Sequence, residues 1–195
     1  MNYELRIKKS DNNGYTLIET MISIAIFLII VVAGMGALLN ANLLHNKSKD
    51  MRSIIDSLSF TMDDISRNLR TGYNYHCIPS GGGGTFSTPL SGQNCVGIAF
   101  TISGGSAVWA YEVTNQGTIQ KSTDGGNTWV QMTPSEVTIN TSANYYAFSV
   151  FGAEPPPADT QQPFVNIHLV GTILYQKVSS PFSLQTSISQ REIDI

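Results

Sequence analysis

Gly14-Tyr-Thr-Leu-Ile-Glu19 and the run behind it, Thr20-Met-Ile-Ser-Ile-Ala-Ile-Phe-Leu-Ile-Ile-Val-Val-Ala-Gly-Met-Gly-Ala-Leu-Leu-Asn-Ala-Asn-Leu-Leu44, decide how the chain is built. No charged residue occurs between Thr20 and Leu44. At about 1.5 Å of rise per residue the run covers roughly 37 Å as a helix, more than the ~30 Å of a hydrocarbon core. Two features set it apart from a plain anchor. Glu19 stands at its edge, where a carboxylate carried to the bilayer centre costs about 2.5–3.5 kcal/mol. Ahead of it, a short polar leader ends in the lone Gly14.

The leader holds Arg6, Lys8 and Lys9 against Glu4 and Asp11. A basic excess before an apolar run predicts a cytoplasmic N-terminus, with everything after Leu44 outside. A small-residue cleavage site of the secretory kind does not follow the run, so the run is expected to stay in the mature protein.

Beyond Leu44 the pattern turns amphipathic. Met51, Ile54, Ile55, Leu58, Met62, Ile65 and Leu69 recur at three- and four-residue spacing, with Lys47, Lys49, Asp50, Asp56, Asp63, Asp64 and Arg67 on the other faces. The reading is one helix from about Thr16 to Thr71, its first half in lipid and its second half laid on a domain. A coiled-coil seam is the other reading of such a stripe; strand-rich sequence directly after it favours a core-facing helix. Gly72 is the expected stop, since glycine accepts the left-handed conformation at a helix end. Gly34 and Gly36 within the apolar half have two readings, close packing between small residues or local melting of the helix.

Residues 72–94 read as an irregular connector, with Gly81-Gly-Gly-Gly84, Pro79, Pro89 and Gly92, bracketed by Cys77 and Cys95. An even pair of cysteines outside the cytoplasm suggests a disulfide worth about 3 kcal/mol in the chain-entropy picture; two free thiols are the alternative. His76 beside Cys77 leaves a zinc set incomplete, so no metal is expected.

From Val96 on, short runs rich in β-branched and aromatic residues predict strands at Val96–Ser103, Ala107–Thr114, Thr118–Ser122, Thr128–Met132, Val137–Asn140, Tyr145–Phe151, Phe164–Gln176 and Phe182–Ser189. Gly104-Gly105, Asn115-Gln-Gly117, Gly125-Gly126 and Ser179-Ser-Pro181 are the turn signals between them. Tight connections predict antiparallel pairing. Val165, Ile167 and Leu169 alternate with Asn166 and His168, which puts His168 on a wet face. Glu154–Pro163 reads as an exposed extended loop. The fold class expected is therefore α+β: a long N-terminal helix packed on an antiparallel sheet domain over residues 72–195.

The leader, Gly14, the aromatic Tyr15, Thr16, Leu17, Ile18, Glu19 and the long apolar helix together resemble a type IV prepilin signal. The resemblance implies that residues 1–14 are a leader removed by a membrane-bound prepilin peptidase, which cuts between Gly14 and Tyr15 and methylates the new amine of Tyr15. It implies that Glu19 serves filament assembly as the fifth mature residue. The one departure is Tyr15, where the family more often has Phe or Met. A methylated amine remains a cation, so it offers Glu19 the opposite charge that a carboxylate in an apolar segment needs, within one helix or from a neighbour. The competing reading is an uncleaved anchor whose Glu19 snorkels to the interface.

Membership of the type IV pilin and pseudopilin family further implies other pilin or pseudopilin subunits and an inner-membrane assembly platform as partners. Location is then the cytoplasmic membrane followed by a pilus or pseudopilus. Size, the glycine-rich connector and the closing Phe182-Ser-Leu-Gln-Thr-Ser-Ile-Ser-Gln-Arg191 resemble minor pseudopilins of the type II secretion J type and W-type minor pilins.

Ser122-Thr-Asp124-Gly-Gly126-Asn-Thr128-Trp129 resembles the Asp-box hairpin of sialidases and other β-propellers. Asp124 can accept bonds from the turn, Gly126 allows positive φ and Trp129 can pack beneath. A single copy in so short a segment says hairpin rather than glycan hydrolysis. His45, His76 and His168 have no carboxylate or nucleophile at a diagnostic spacing, and Gly81–Gly84 lacks the Lys-Ser/Thr of a phosphate loop. An enzyme and a cofactor are thus not expected. A formal net charge of −3 leaves no nucleic-acid footprint. Tyr73, Tyr75, Tyr145 and Tyr146 are candidates for a partner surface. The runner-up function is a signal-anchored adhesin that binds a ligand, such as a glycan, through the β domain.

Overall fold

The computed structural model describes residues 14–81, 86–142, 146–155, 157, 160–175 and 178–191. The leader up to residue 13, most of the Gly81–Gly84 run and Tyr145 lie outside the described residues. The chain divides into two compact units, Met1–Lys49 and Asp50–Ile195.

The first unit is the start of helix α1, Leu17–Thr71, and none of its residues from Leu17 to Leu44 is buried. By length and composition α1 is the one helix among the described residues apolar enough to cross a membrane. The helix runs through Gly34 and Gly36 without a break, and a Cβ at either would meet nothing within 4 Å.

The second unit starts inside the same helix. Ile54, Leu58, Thr61, Met62, Ile65 and Leu69 are its buried face, and all but Thr61 belong to the apolar core shared with the sheet. Each such side chain contributes about 1.5–3 kcal/mol of transfer free energy. The predicted stripe therefore faces a core rather than a coiled-coil partner, with two changes. Ile55, about 100° around the helix from Ile54, is 45% exposed. Thr61 takes a buried place instead, its hydroxyl satisfied by the Ser57 carbonyl at 3.0 Å. Two polar anchors fasten this stretch to the sheet: the Tyr175 hydroxyl donates to Asp50, and the Tyr111 hydroxyl donates to Asp64 at 2.7 Å.

The helix ends at Thr71, but not by the expected device. Gly72 does not have a positive φ. It is a glycine because a Cβ there would lie 2.3 Å from the Phe100 ring. The Tyr75 hydroxyl donates to the Leu69 carbonyl at 2.6 Å and so satisfies one of the orphan acceptors of the last turn.

The sheet is antiparallel, with β1 Tyr73–Pro79, β2 Gly92–Thr101, β3 Val108–Val113, β4 Ile119–Ser122, β5 Val130–Gln131, β6 Val137–Ile139, β7 Phe148–Phe151, β8 Phe164–Tyr175 and β9 Val178–Ser189. Its path is β5-β4-β3-β2-β7-β8-β6; off this path β1 also pairs β2, over Cys95–Thr101, and β9 pairs β8. The helix and this sheet make the α+β arrangement expected of the sequence.

One correction concerns residues 72–94, which are not all irregular. Tyr73–Pro79 form β1 and β2 begins at Gly92. The register of β1 on β2 shifts between Tyr73 and His76, where Asn74 adopts φ 54°. That bulge breaks the alternation by which a strand is recognised, leaving Tyr75, His76, Cys77 and Ile78 buried in succession. Tyr75 is accordingly a core residue, 1% exposed, and not part of a partner surface. His76 lies in a strand and is bonded through Nδ1 to the Thr88 carbonyl at 2.6 Å.

The β3–β4 turn fixes one glycine absolutely. Gly117 has φ 77°, and a Cβ there would sit 2.4 Å from the Ile139 carbonyl oxygen, whose own amide donates to the Gly117 carbonyl at 2.7 Å. Gly117→Ala combines left-handed strain with a backbone clash. It is expected to destabilise the sheet unit by about 2–4 kcal/mol, read as the shift in a urea melt.

Candidate functional site

At Gly14–Glu19 the geometry follows from helix initiation. Glu19 N donates to the Thr16 hydroxyl at 3.3 Å and Thr20 N to the Thr16 carbonyl at 3.2 Å. Thr16 is therefore the N-cap, and Glu19 lies three residues on, in the place of a capping-box acid. The S/T-x-x-E pattern of Thr16-Leu-Ile-Glu19 made this helix start legible in the sequence. A carboxylate here also faces the positive end of the helix dipole.

Gly14 and Tyr15 precede the helix in exposed chain without regular structure, Tyr15 being 81% exposed. A Cβ on Gly14 would meet nothing within 4 Å. The segment thus presents an accessible peptide bond directly before a capped helix, with the carboxylate of Glu19 one turn beyond Tyr15.

The other residues singled out in the sequence lie apart from this segment. Cys77 and Cys95 form a disulfide, with Cα atoms 5.4 Å apart. It ties β1 to β2, and Gly92 lies against it, since a Cβ there would be 2.5 Å from Cys77 Sγ. Replacing both cysteines with serine is expected to lower the stability of the sheet unit by about 3 kcal/mol, the loop-closure value for a bridge of this separation. Equal melting of the oxidised and serine forms would refute that contribution.

In the hairpin, Asp124 Oδ1 accepts from the amides of Asn127 at 3.0 Å and Thr128 at 2.9 Å and from the Ser122 hydroxyl at 2.8 Å. Its Oδ2 accepts from the Thr128 hydroxyl at 2.7 Å. The bonds from Thr128, Ser122 and Asn127 lower its pKa to about 2. Gly126 has φ 92°. Trp129 donates through Nε1 to the Gly126 carbonyl at 3.0 Å and packs on Ile78, Ala99 and Ala110. Every one of these hydrogen bonds closes within the hairpin, between Ser122 and Trp129.

A cluster the sequence did not announce joins helix and sheet. Asp64 accepts from Tyr111 and pairs with Lys121 at 3.0 Å, and Lys121 Nζ lies 4.4 Å from the Trp109 ring centroid. Burial alone would raise the Asp64 carboxyl, but the bonds from Tyr111, Lys121 and Asn68 and the Lys121 charge outweigh it and hold it below the usual carboxylate range. Burial, and then the Asp64 bond, push the Tyr111 phenol up.

His168 sits on the half-exposed face, as alternation predicted, with Nε2 3.3 Å from the Ser183 hydroxyl. Among the described residues no group of His, Cys, Asp and Glu could hold a metal. A shallow pocket beside β6 is lined, among the described residues, by Ser80, Asn115, Asn140, Thr141, Ser142 and Tyr146, with no carboxylate or imidazole.

Residues 9–35 match the family model described as the prokaryotic N-terminal methylation motif. No curated protein matches the chain, and no solved structure does. The motif belongs to structural subunits rather than enzymes, and implies pilin subunits and a prepilin peptidase as partners in general. With the exposed apolar helix behind it, it supports a membrane-anchored protein. Over residues 9–35 the chain carries the N-terminal methylation motif found in type IV prepilin-like proteins.

Proposed function

We propose that this chain is a minor pilin or pseudopilin, a structural subunit of a type IV pilus-like or type II secretion filament. It is made as a single-pass precursor with its N-terminus in the cytoplasm and its sheet unit outside. The peptidase cuts between Gly14 and Tyr15 and methylates the Tyr15 amine. The subunit then leaves the bilayer through the assembly platform, and the apolar surface from Thr20 to Leu44 is reburied against neighbouring helices. Pairing of Glu19 with the Tyr15 amine of a neighbour sets the register. The J-type pseudopilins and W-type minor pilins are the subfamilies whose size and C-terminal sequence it resembles.

The observation that carries this reading is the methylation motif over residues 9–35, followed by a helix with no buried residue between Leu17 and Leu44. Apolar surface of that extent needs either lipid or other helices around it.

Intact mass and N-terminal analysis of the protein from membranes of cells with an active prepilin peptidase test it. The expected chain begins at N-methyl-Tyr15. A chain still beginning at Met1 would make this a signal-anchored surface protein whose sheet unit supplies the whole function.

A further inference from the structure

Strand β9 pairs with β8 along one side, and among the described residues no strand pairs with its other side. It is twelve residues long, and its register on β8 runs from Phe164↔Ser189 to Tyr175↔Val178 without a shift. Val178–Ser189 contains no charged residue. Sheet edges are ordinarily guarded by short length, a bulge, charge or proline. Of these guards β9 has Pro181 alone.

The register fixes which backbone groups the edge offers. Along an antiparallel strand, alternate residues bond to the neighbour on one side, and those between turn their N–H and C=O to the other. Gln190 N donates to the Pro163 carbonyl at 3.1 Å, so the even-numbered residues of β9 bond to β8. Strand β8 agrees: His168 N and Leu174 N donate the opposite way, to Ala147 and Glu136. The odd-numbered residues of β9 therefore face outward. Ser179, Ser183, Gln185, Ser187 and Ser189 present N–H groups there, and Pro181 falls where the ladder loses nothing. Their side chains leave the edge open: the Ser183 hydroxyl lies 3.3 Å from His168 Nε2, and Gln185 and Ser187 bond back to Asn166.

A groove runs beside this edge, between α1 and β9. Met62, Asp63 and Ser66 form one wall and Leu184, Gln185 and Thr186 the other. Asp63 is exposed there, and among the described residues the one salt bridge is Lys121–Asp64. A strand added to β9 lies about 4.8 Å farther out. Its residues on the helix side enter the groove beside Met62 and Leu184. The alternate ones continue the polar row of Ser183, Gln185 and Ser187.

We infer that the outer edge of β9 receives an extended segment from a different subunit of the filament, with apolar side chains at alternate positions and a Lys or Arg that reaches Asp63. The inference rests on the filament-subunit reading above and deepens it by naming how a partner is held, through main-chain bonds with side-chain pockets for specificity. A second copy of this chain does not supply the strand. The path of its sheet ends in β5 and β6, two and three residues long, and the outer side of β1 is bonded to Leu90. Antiparallel pairing of β9 with β9 needs a half-turn about an axis perpendicular to the sheet. That reverses the α1 segment lying on the sheet, against the single direction that anchoring in one membrane imposes. Parallel pairing of β9 with β9 exchanges the two faces, so the serine row of one copy would meet the groove of the other.

The test uses the full chain in cells with an active prepilin peptidase, with entry into filaments read by shearing and immunoblot. Ser183→Pro and Ser187→Pro each remove an outward N–H and put a ring on the edge, without touching a bond to β8. Each is expected to reach the membrane at the natural level and to enter filaments about ten-fold less. Ser183→Ala and Ser187→Ala lose the same hydroxyls but keep the N–H, and are expected within about two-fold of the natural chain. Asp63→Arg is expected to lower entry roughly five-fold. A photo-crosslinking residue at Gln185 is expected to join the chain to a different filament subunit, and it decides the matter where a proline variant fails to fold.

Proline variants that enter filaments at the natural level would overturn the inference, as would alanine variants that fail as fully as the proline ones. Natural entry of Asp63→Arg would overturn the charge assigned to the partner. A Gln185 crosslink to a second copy of this chain, or none in filaments that hold the chain, would overturn the assigned occupant. The natural chain separates the two levels. Its presence in filaments beside unaffected proline variants leaves the filament reading standing, while its absence from filaments removes that reading itself.

Discussion

Gly14→Ala is expected to leave essentially all of the protein as uncleaved precursor, heavier than the mature chain by the leader and lacking the methyl group on Tyr15. The folded protein gives this substitution no reason to fail. Gly14 lies outside α1, and an added Cβ would meet nothing within 4 Å. Any loss must then arise where a protease brings its own groups up to the backbone, the situation in which only glycine fits. The membrane content of the variant is expected to be normal, because the apolar run is untouched. Intact mass reads the outcome directly, and processing at the natural rate would refute cleavage at the Gly14–Tyr15 bond.

Glu19→Ala is expected to insert into the membrane at least as well as the natural protein and to be absent from filaments. Removing the carboxylate takes a charge from the edge of the apolar run, where it costs less than the about 2.5–3.5 kcal/mol of the bilayer centre, so residence in lipid is not weakened. What is lost is the partner for a cation in an apolar setting, where breaking one half of a pair costs about 3–5 kcal/mol. The capping geometry at Thr16 offers a rival explanation, since loss of an N-terminal acid also weakens a helix start by about 0.3–1 kcal/mol. Glu19→Gln separates the two. A glutamine keeps the reach of a capping-box side chain but carries no charge, so it is expected to be excluded from filaments as alanine is. Normal incorporation of the glutamine variant, read by filament shearing and immunoblot, would assign Glu19 to helix capping alone.

What the sequence made legible was local. The apolar run is unbroken over its whole length, the stripe on the second half of α1 and the alternation in Phe164–Tyr175 each repeat at a fixed period, and each became the element that its pattern predicts. The N-terminal segment was readable for the same reason, its residues being fixed to one another by adjacent spacing. Tyr73–Pro79 was missed because Asn74 breaks the period of two. Gly72 was assigned a left-handed φ when its true constraint, the Phe100 ring, comes from 28 residues away in the chain. The polar anchors were invisible for the same reason: Tyr111 and Asp64 are 47 residues apart, Lys121 and Asp64 are 57, and Tyr175 and Asp50 are 125. Only the fold brings them together, and no period announces them.

Those anchors give the sheet unit a mechanical character. Asp50 is held to Tyr175 where the helix enters the unit, Asp64 to Tyr111 and Lys121 midway, and the Arg191 amide reaches the Arg70 carbonyl at 3.0 Å near the helix end. Tension arriving along α1 would load these fastenings one after another. A tug that parts Asp50 from Tyr175 still leaves Asp64 gripped and Leu58, Ile65 and Leu69 seated in the core. The helix would peel by stages, each stage a separate force peak, and the sheet would stay closed until the last of them gave way.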